Sequence, residues 1–338
     1  MTHKVREFGV GCESPHAREF VALAKRAEEI GFGTFWVPED PFYRGAFTLA
    51  SAVACGTSTI KVGIGVLNPY TRHPTLTAME FAALDEVSDG RAILGIGAGL
   101  KDWIEGRLKI PYTRPTAAMR ESIEITRRLF RGEEVSFAGR VFQTERIKLS
   151  FKPPRTEIPI HLGVLGPKNL ELAGEAADGV LLSVMSSHEY VTFAMEHIRR
   201  GLAKSARVER DFAVGAYILS SISEDERAAR DRLRPIVAIL ISLMAPQPTN
   251  PIFAAAGLSP DTIRKFGESF ARGTVPADMV TDSMIDTFTI AGSPSRCREN
   301  LARLIEAGVT SPVFFEVHGL PARQTMDDAH RYLMPHFA

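Results

Sequence analysis

The sequence is poor in cysteine and carries no net charge. Only three cysteines occur among 338 residues, Cys12, Cys55 and Cys297, and none lies in a CxxC pair. An odd number of widely spaced cysteines argues against a disulfide framework or a zinc site, so we expect buried free thiols. Basic and acidic residues number 40 each, and this balance argues against nucleic acid or an anionic membrane as the main partner.

Long apolar segments are also missing. The longest apolar run, 236–245, is interrupted by Ser242 and is too short to cross a bilayer. The first residues, MTHKVREFGVG, lack the apolar segment of a signal peptide. We therefore expect a cytoplasmic protein without a membrane partner.

Short apolar runs alternate with longer segments of helical periodicity, an order typical of βα units around a parallel sheet. The predicted strands are 8–11, 34–37, 60–67, 92–96, 158–163, 179–183, 213–222 and 312–317. The predicted helices are 16–30, 46–55, 74–87, 115–130, 167–176, 188–203, 224–243 and 294–307. Eight such repeats predict the α/β class and favour a closed (β/α)8 TIM barrel over an open doubly wound sheet.

We expect one domain over residues 1–338, because no flexible linker interrupts the chain. Two segments depart from the repeat. Residues 134–157 predict a hairpin excursion, with the hairpin in 134–142, and residues 246–286 predict an irregular, partly helical insertion. Long excursions from compact domains are commonly functional, so the insertion is a candidate cover for a substrate pocket, with a packing appendage as the alternative.

Active sites of such barrels lie at the carboxyl ends of the strands. Glu39 and Asp40 follow the second strand and are candidates for an acid or base near a redox group, or else solvated loop charges. Glu316 and His318 end the eighth strand, where we expect a solvated or capping role. His161 lies inside the fifth strand and predicts an interior packing residue rather than a catalyst.

Two glycine-bearing turns lie at the same end of the predicted barrel. Residues 163–169 feed a helix, so free N–H groups, the helix dipole and Lys168 predict an anion site for a cofactor phosphate, with an ordinary turn as the alternative. Residues 95–99 lack the GxGxxG spacing and favour close approach to a flat ring or phosphate over a Rossmann site. The absence of HExxH and GxSxG argues against a metal enzyme or a serine hydrolase.

Several motifs together resemble the bacterial luciferase-like superfamily over nearly the whole chain. These motifs are GVLNPYTRHP at 65–74, LDEVSDGR at 84–91, LGIGAG at 94–99, RP at 114–115, RE at 120–121, RGE at 131–133, GPK at 166–168, ADG at 177–179 and EAGV at 306–309. More narrowly, they resemble the branch that uses the deazaflavin coenzyme F-420, such as methylenetetrahydromethanopterin reductase.

The resemblance implies a non-prolyl cis peptide between Gly65 and Val66, which forms a bulge behind the cofactor ring, with Asn68 at the polar edge of the ring. The cofactor-binding residues that it implies are Gly65, Val66, Asn68, Gly97, Ala98, Gly99, Gly163, Val164, Leu165, Gly166, Pro167, Lys168 and Ser183. Many relatives carry an acid just after the turn at 97–99, whereas here the nearest acid is Asp102.

The resemblance implies an oxidoreductase that transfers a hydride between coenzyme F-420 and an unidentified small organic substrate. Glu39 or Asp40 would then relay the proton. FMN stays open as the cofactor, and with it a luciferase-like monooxygenase that uses reduced flavin and oxygen. A non-catalytic flavin-binding protein is the alternative of another class. Family analogy also implies a homodimer, and a separate reductase as electron donor stays open.

Overall fold

The computed structural model describes residues 4–13, 16–247, 249–317 and 321–337. Its strands are β1 (Gly9–Cys12), β2 (Thr34–Val37), β3 (Lys61–Leu67), β4 (Ala92–Gly97), β5 (Val135–Ala138), β6 (Gln143–Ile147), β7 (Ile160–Gly163), β8 (Gly179–Leu182), β9 (Ala213–Ile218), β10 (Ser220–Ile222), β11 (Ile290–Gly292) and β12 (Ser311–Glu316). Eight of them pair in parallel and close in the order β1-β12-β9-β8-β7-β4-β3-β2. The predicted (β/α)8 barrel is confirmed.

Helices surround the barrel. They are α1 (Ala17–Glu29), α2 (Ala46–Gly56), α3 (Pro74–Val87), α4 (Pro115–Phe130), α5 (Pro167–Ala176), α6 (His188–Lys204), α7 (Glu226–Met244), α8 (Pro251–Ala255), α9 (Pro260–Ala271), α10 (Asp282–Phe288), α11 (Pro294–Ala307) and α12 (Ala322–Tyr332). Six of these begin with proline, whose missing N–H has no partner to lose in the first turn. Within the described ranges, none of the helices combines the length and apolar character that a membrane span requires.

The barrel interior is packed with side chains rather than open. Trp36, Ile93, Leu181 and Val313 form a buried cluster that fills the space between the strands. Gly63 leaves room for the largest of them, because a Cβ at that position would lie 2.6 Å from Trp36 Cδ2. A functional site in such a barrel must therefore be built at its mouth, where the strands end.

The seventh predicted strand, 213–222, is wrong as a single element. The chain leaves the barrel at Leu219, and β10 pairs in parallel with β11 outside it. Neither of these three-residue strands is long enough to show a periodic pattern in the sequence, and β11 was not predicted at all. The two together place α10 and α11 against the mouth of the barrel beside β9.

Both predicted excursions are present, but their elements differ from the predicted ones. β5 and β6 form an antiparallel hairpin, but its second strand is Gln143–Ile147, beyond the predicted 134–142. The segment predicted as an irregular insertion contains α8, α9 and most of α10. The expectation of buried thiols holds for Cys12 and Cys297 but is wrong for Cys55, which is exposed because α2 turns its other face to the core.

Candidate active site

A bulge in β3 organises the mouth of the barrel. The Gly65–Val66 peptide is cis, and the register between β3 and β4 shifts there. The Val66 side chain lies over two glycines of neighbouring strands. A Cβ on Gly97 would lie 2.5 Å from Val66 Cγ2, and one on Gly163 would lie 2.7 Å from Val66 Cγ1. These two glycines therefore make room for the bulge itself.

Tyr217, at the end of β9, supports the bulge from across the barrel. Its hydroxyl donates to the Gly65 carbonyl oxygen at 3.2 Å, and its ring packs on Phe315 with 4.4 Å between centroids. Burial, with the charges of Asp40 and Glu13, raises the pKa of Tyr217, so the phenol remains a neutral donor. Sequence reasoning missed this residue, although its inward position at a strand end could have indicated it.

The two candidate carboxylates after β2 have different surroundings. Glu39 accepts a hydrogen bond from the Ala46 N–H at the start of α2, at 3.4 Å, and lies 3.9 Å from Arg72. Arg72 also pairs with Glu80 and lies 4.8 Å from the centroid of the Phe47 ring. Glu39 is thus engaged in holding α2 and α3 at the barrel mouth.

Asp40 has no side-chain hydrogen-bond partner within the described part of the chain. Its pKa is raised by burial and by the neighbouring Glu39 charge. Asp40 follows β2 and Tyr217 lies near the end of β9, so both lie at the mouth of the barrel, and the charge of Asp40 contributes to the raised pKa of Tyr217. A partly buried carboxyl that holds its proton to higher pH than usual is suited to act as an acid.

The turn between β7 and α5 is open on its outer side. A Cβ on Gly166 would meet nothing within 4 Å, and Lys168 is exposed. The Tyr190 hydroxyl fixes the turn by donating to the Leu165 carbonyl oxygen at 3.0 Å. The Val164 side chain is only 5% exposed, so that residue offers a ligand its backbone alone. No side chain of the described residues caps the start of α5, so its first N–H groups, with Lys168, fit an anion.

The remaining predicted positions contribute mainly backbone groups. Asn68 Oδ1 accepts from the N–H groups of Tyr70 and Thr71 at 3.1 and 2.9 Å, so only its amide nitrogen is left for a ligand. Gly99 turns the chain with φ of 71° after Ala98. The Ser183 carbonyl oxygen accepts from the Ser186 hydroxyl at 2.7 Å. Pro167 occupies the first turn of α5.

Three further positions named from the sequence are Glu316, His318 and Asp102. For Glu316 the sequence predicts a solvated or capping role, and the solvated role is wrong, because the side chain is only 6% exposed. Burial with the charges of Glu13 and Glu19 raises its pKa to about 8. Its strand carries this side chain away from the barrel interior, because Phe315 points inward. His318 lies outside the described residues. Asp102 is exposed and lies 3.2 Å from Arg107, so it belongs to a surface ion pair.

His161 lies in the barrel interior, as the packing interpretation requires. Its ring centroid is 5.7 Å from that of Trp36, and burial lowers its pKa to about 4. The side chain is therefore neutral. Its Nδ1 atom has no hydrogen-bond partner within the described part of the chain.

Comparison with known proteins decides the family. The model for luciferase-like monooxygenases matches residues 4–311. The chain belongs to this family. It is 37% identical over 301 residues to a 5,10-methylenetetrahydromethanopterin reductase of Archaeoglobus fulgidus, which covers 87% of this chain and 88% of that protein. It is also 25% identical to a coenzyme F-420-dependent glucose-6-phosphate dehydrogenase of Amycolatopsis mediterranei, over 88% of each chain.

A solved member of the luciferase-like family has the same architecture along the whole chain. This structure is the coenzyme F-420-dependent tetrahydromethanopterin reductase of Methanopyrus kandleri. It superposes with a TM-score of 0.89 at 27% identity and covers 99% of this chain and 100% of its own.

The family motif at 84–91 has a structural role here. Asp85 is fully buried and receives two hydrogen bonds from Arg155, at 3.0 and 2.5 Å, which tie the excursion to α3. Arg91 donates to the carbonyl oxygens of Ala54, Thr57 and Ile60 and so fixes the turn between α2 and β3. This motif identifies the fold, and the site lies elsewhere.

Proposed function

We propose that this luciferase-like oxidoreductase uses coenzyme F-420 to reduce the methylene group of a reduced pterin. The observation that carries the proposal is the arrangement at the barrel mouth. The Val66 bulge lies on two glycines, Tyr217 supports it, and Asp40 is an unpaired acid in the same region. The names of the relatives supply the substrate class and the cofactor.

The residues present fit a deazaflavin. Its flat ring requires support on one face, and the Val66 bulge, seated on Gly97 and Gly163, offers that support, while Gly99 places no side chain beside it. Its phosphate requires hydrogen-bond donors and positive charge, which the open turn at Gly166 and Lys168 offers. Among the relatives and solved structures at 25% identity or more, those that state a cofactor in their names state coenzyme F-420, which supports it over FMN.

Coenzyme F-420 supplies a hydride when it is bound in its reduced form. The protein supplies position, exclusion of water and a proton. The Val66 bulge fixes where a ring can lie, and Lys168 with the α5 terminus anchors the phosphate. Asp40 donates a proton to the substrate nitrogen that loses its bond to the reduced carbon. Glu39 positions this loop through Ala46 and Arg72.

Two measurements test this proposal. The purified protein is titrated with coenzyme F-420 and separately with FMN, with fluorescence as the readout. We expect micromolar or tighter binding of coenzyme F-420 and much weaker binding of FMN. Reduced coenzyme F-420 is then mixed with 5,10-methylenetetrahydromethanopterin, and its oxidation is followed by visible absorbance. A preference for FMN would overturn the assignment of coenzyme F-420 as the cofactor. An absence of coenzyme oxidation would overturn the assignment of the substrate.

We also infer that the chain forms a homodimer through α3. Four apolar side chains, Leu76, Met79, Ala83 and Val87, follow one another at helical spacing along its outer face and are all exposed. This set is called the α3 stripe below. Exposed apolar patches of this kind are common protein–protein contacts. The homodimeric state implied by family analogy is supported by this surface.

A further inference from the structure

A cavity of about 330 Å³ opens beside the barrel mouth, at the small end of the range for ligand sites. Its walls come from the end of β9, the loop after β8, and the helices α10 and α11. The polar residues that line it include Ser186, His188, Tyr217, Thr287, Asn300 and Arg303. None of these residues was identified from the sequence.

The cavity adjoins the candidate active site through two side chains. Tyr217 forms part of its wall, and the same hydroxyl donates to the Gly65 carbonyl oxygen at the bulge. Ser186 also lines it and is bonded to the Ser183 carbonyl oxygen. The cavity and the candidate active site are therefore neighbours in the fold, with Tyr217 at both.

The acidic groups of the cavity already have cationic neighbours. Asp286 lies 3.3 Å from Arg230 and 2.7 Å from Arg296. Glu189 lies 3.6 Å from Arg303 at the rim and 3.8 Å from His188. Since both carboxylates are paired, the cavity does not call for a cationic ligand.

One donor in the wall lacks a partner. The Asn300 Nδ2 atom is buried and makes no hydrogen bond within the described part of the chain. Buried amide groups are normally paired, and an amide N–H requires an acceptor. Arg303, at the rim, adds further donors. The groups that match these donors are the oxygen atoms of a carbonyl or carboxylate.

We propose that this cavity binds the oxygen-bearing end of the reduced pterin, with the Asn300 amide donating to a carbonyl of the substrate. The inference rests on the proposed function, because it assigns part of the same substrate to a second pocket. Tyr217 contributes to both sites. Asn300 and Arg303 are then residues that determine substrate specificity and have no part in binding the cofactor.

The test is Asn300→Leu, which keeps the approximate volume and removes the donor. Its matched control is Glu299→Leu, at an exposed position next to it on α11. The probe is folinic acid, a stable reduced pterin, titrated by calorimetry into protein loaded with coenzyme F-420. We expect Asn300→Leu to weaken its binding at least about tenfold and Glu299→Leu to leave it unchanged. Arg303→Met, at the exposed rim, is expected to weaken it as well.

Thermal unfolding provides the second readout. Because leucine removes a buried, unpaired donor, the midpoint of Asn300→Leu is expected to equal or exceed that of the wild type. A lower midpoint would show that Asn300 serves the fold, and would overturn the proposal. So would unchanged folinic acid binding in Asn300→Leu, or no binding in the wild type. Failure of coenzyme F-420 to bind the wild type, by contrast, contradicts the proposed function. Folinic acid is therefore also titrated into the protein without coenzyme, where Asn300-dependent binding supports the cavity site and its absence overturns it.

Discussion

Glu39 and Asp40 are adjacent in the chain, but only Glu39 has side-chain partners among the described residues. Because Ala46 and Arg72 hold Glu39, Asp40 is the carboxyl left free to exchange a proton. We expect Asp40→Asn to lower kcat by about 10²–10⁴-fold while the affinity for coenzyme F-420 stays within about twofold. Steady-state kinetics and fluorescence titration measure the two quantities.

The pH profile separates catalysis from packing at this position. Since the pKa of Asp40 is raised, the protonated acid persists to higher pH, and kcat of the wild type should fall as pH rises through that pKa. Asp40→Asn should lack this limb. Asp102→Asn, on the exposed ion pair, is the control and should behave as the wild type. Retention of full activity by Asp40→Asn would exclude it as the acid.

Glu316 links stability to pH. Burial raises its pKa in the folded state from 4.5 to about 8, so the folded protein holds a proton that the unfolded chain releases. The free energy of unfolding should therefore fall as pH rises between these two values, by on the order of 5 kcal/mol, since one pKa unit corresponds to about 1.4 kcal/mol. Above the upper value the loss is complete.

Glu316→Gln should remove this dependence, because glutamine stays neutral. Urea unfolding at several pH values between 5 and about 9 measures it. The variant is expected to be more stable than the wild type at the alkaline end. Glu86→Gln, at an exposed position on α3, is the control. Parallel pH curves for the wild type and Glu316→Gln would contradict the assignment.

At the scale of elements, the bulge in β3 is locked by β7. A Cβ on Gly163 would lie 2.7 Å from Val66 Cγ1 but 3.6 Å from Val66 Cβ. Gly163→Ala alone should thus destabilise the protein by about 1–3 kcal/mol through overpacking. In a Val66→Ala background the same change should cost less than about 0.5 kcal/mol. Denaturant unfolding of the four proteins measures the coupling.

The same four proteins should show coupling between the two positions in their affinity for coenzyme F-420. Gly163→Ala is expected to weaken binding of coenzyme F-420, because it displaces the bulge, and Val66→Ala should restore part of the loss. If the effects of Gly163→Ala and Val66→Ala were additive in both stability and cofactor affinity, the contact between Val66 and position 163 would not couple β3 to β7. Gly166→Ala, where a Cβ meets open space, is the matched control for the fold.

Elements with local end signals could be predicted from the sequence. The helices α3, α4, α5 and α11 have the predicted bounds, because each begins with proline, and α11 also ends directly before Gly308. β10 and β11 could not, since each depends on its partner from a distant segment. The glycines at 97 and 163 were predicted to approach a cofactor, whereas the structure places Val66 over them.

At the scale of the whole molecule, only part of the candidate site could be predicted from the sequence. Strand-end positions such as Asp40 and Gly166 follow from the barrel rule, which needs only the order of elements. Tyr217 and Asn300 meet at one cavity because β9 and α11 are brought together across 83 residues by the closure of the barrel. No local sequence pattern indicates that Tyr217 and Asn300 are neighbours, so their roles could be inferred only from the structure.

The exposed α3 stripe bears on the assembly of the whole molecule. Leu76, Met79 and Val87 of the α3 stripe are 47%, 42% and 50% exposed, which is costly in a monomer but useful in a contact. Met79→Glu would place a charge in the middle of that contact. Losing one buried methionine already costs about 1.5–3 kcal/mol per protomer, so we expect the dimer dissociation constant to rise by at least about 100-fold.

Light scattering during size exclusion at micromolar concentration measures this change. The wild type should elute with twice the mass of one chain, and Met79→Glu with the mass of one. Leu243→Glu, another exposed apolar position at 46%, lies on α7 outside the stripe and should leave the dimer intact. Because Asp40, Val66 and Lys168 all come from one barrel, the monomeric variant should still bind coenzyme F-420. A wild type that elutes as a monomer contradicts the homodimer, and loss of cofactor binding in Met79→Glu would show that the contact supports the site.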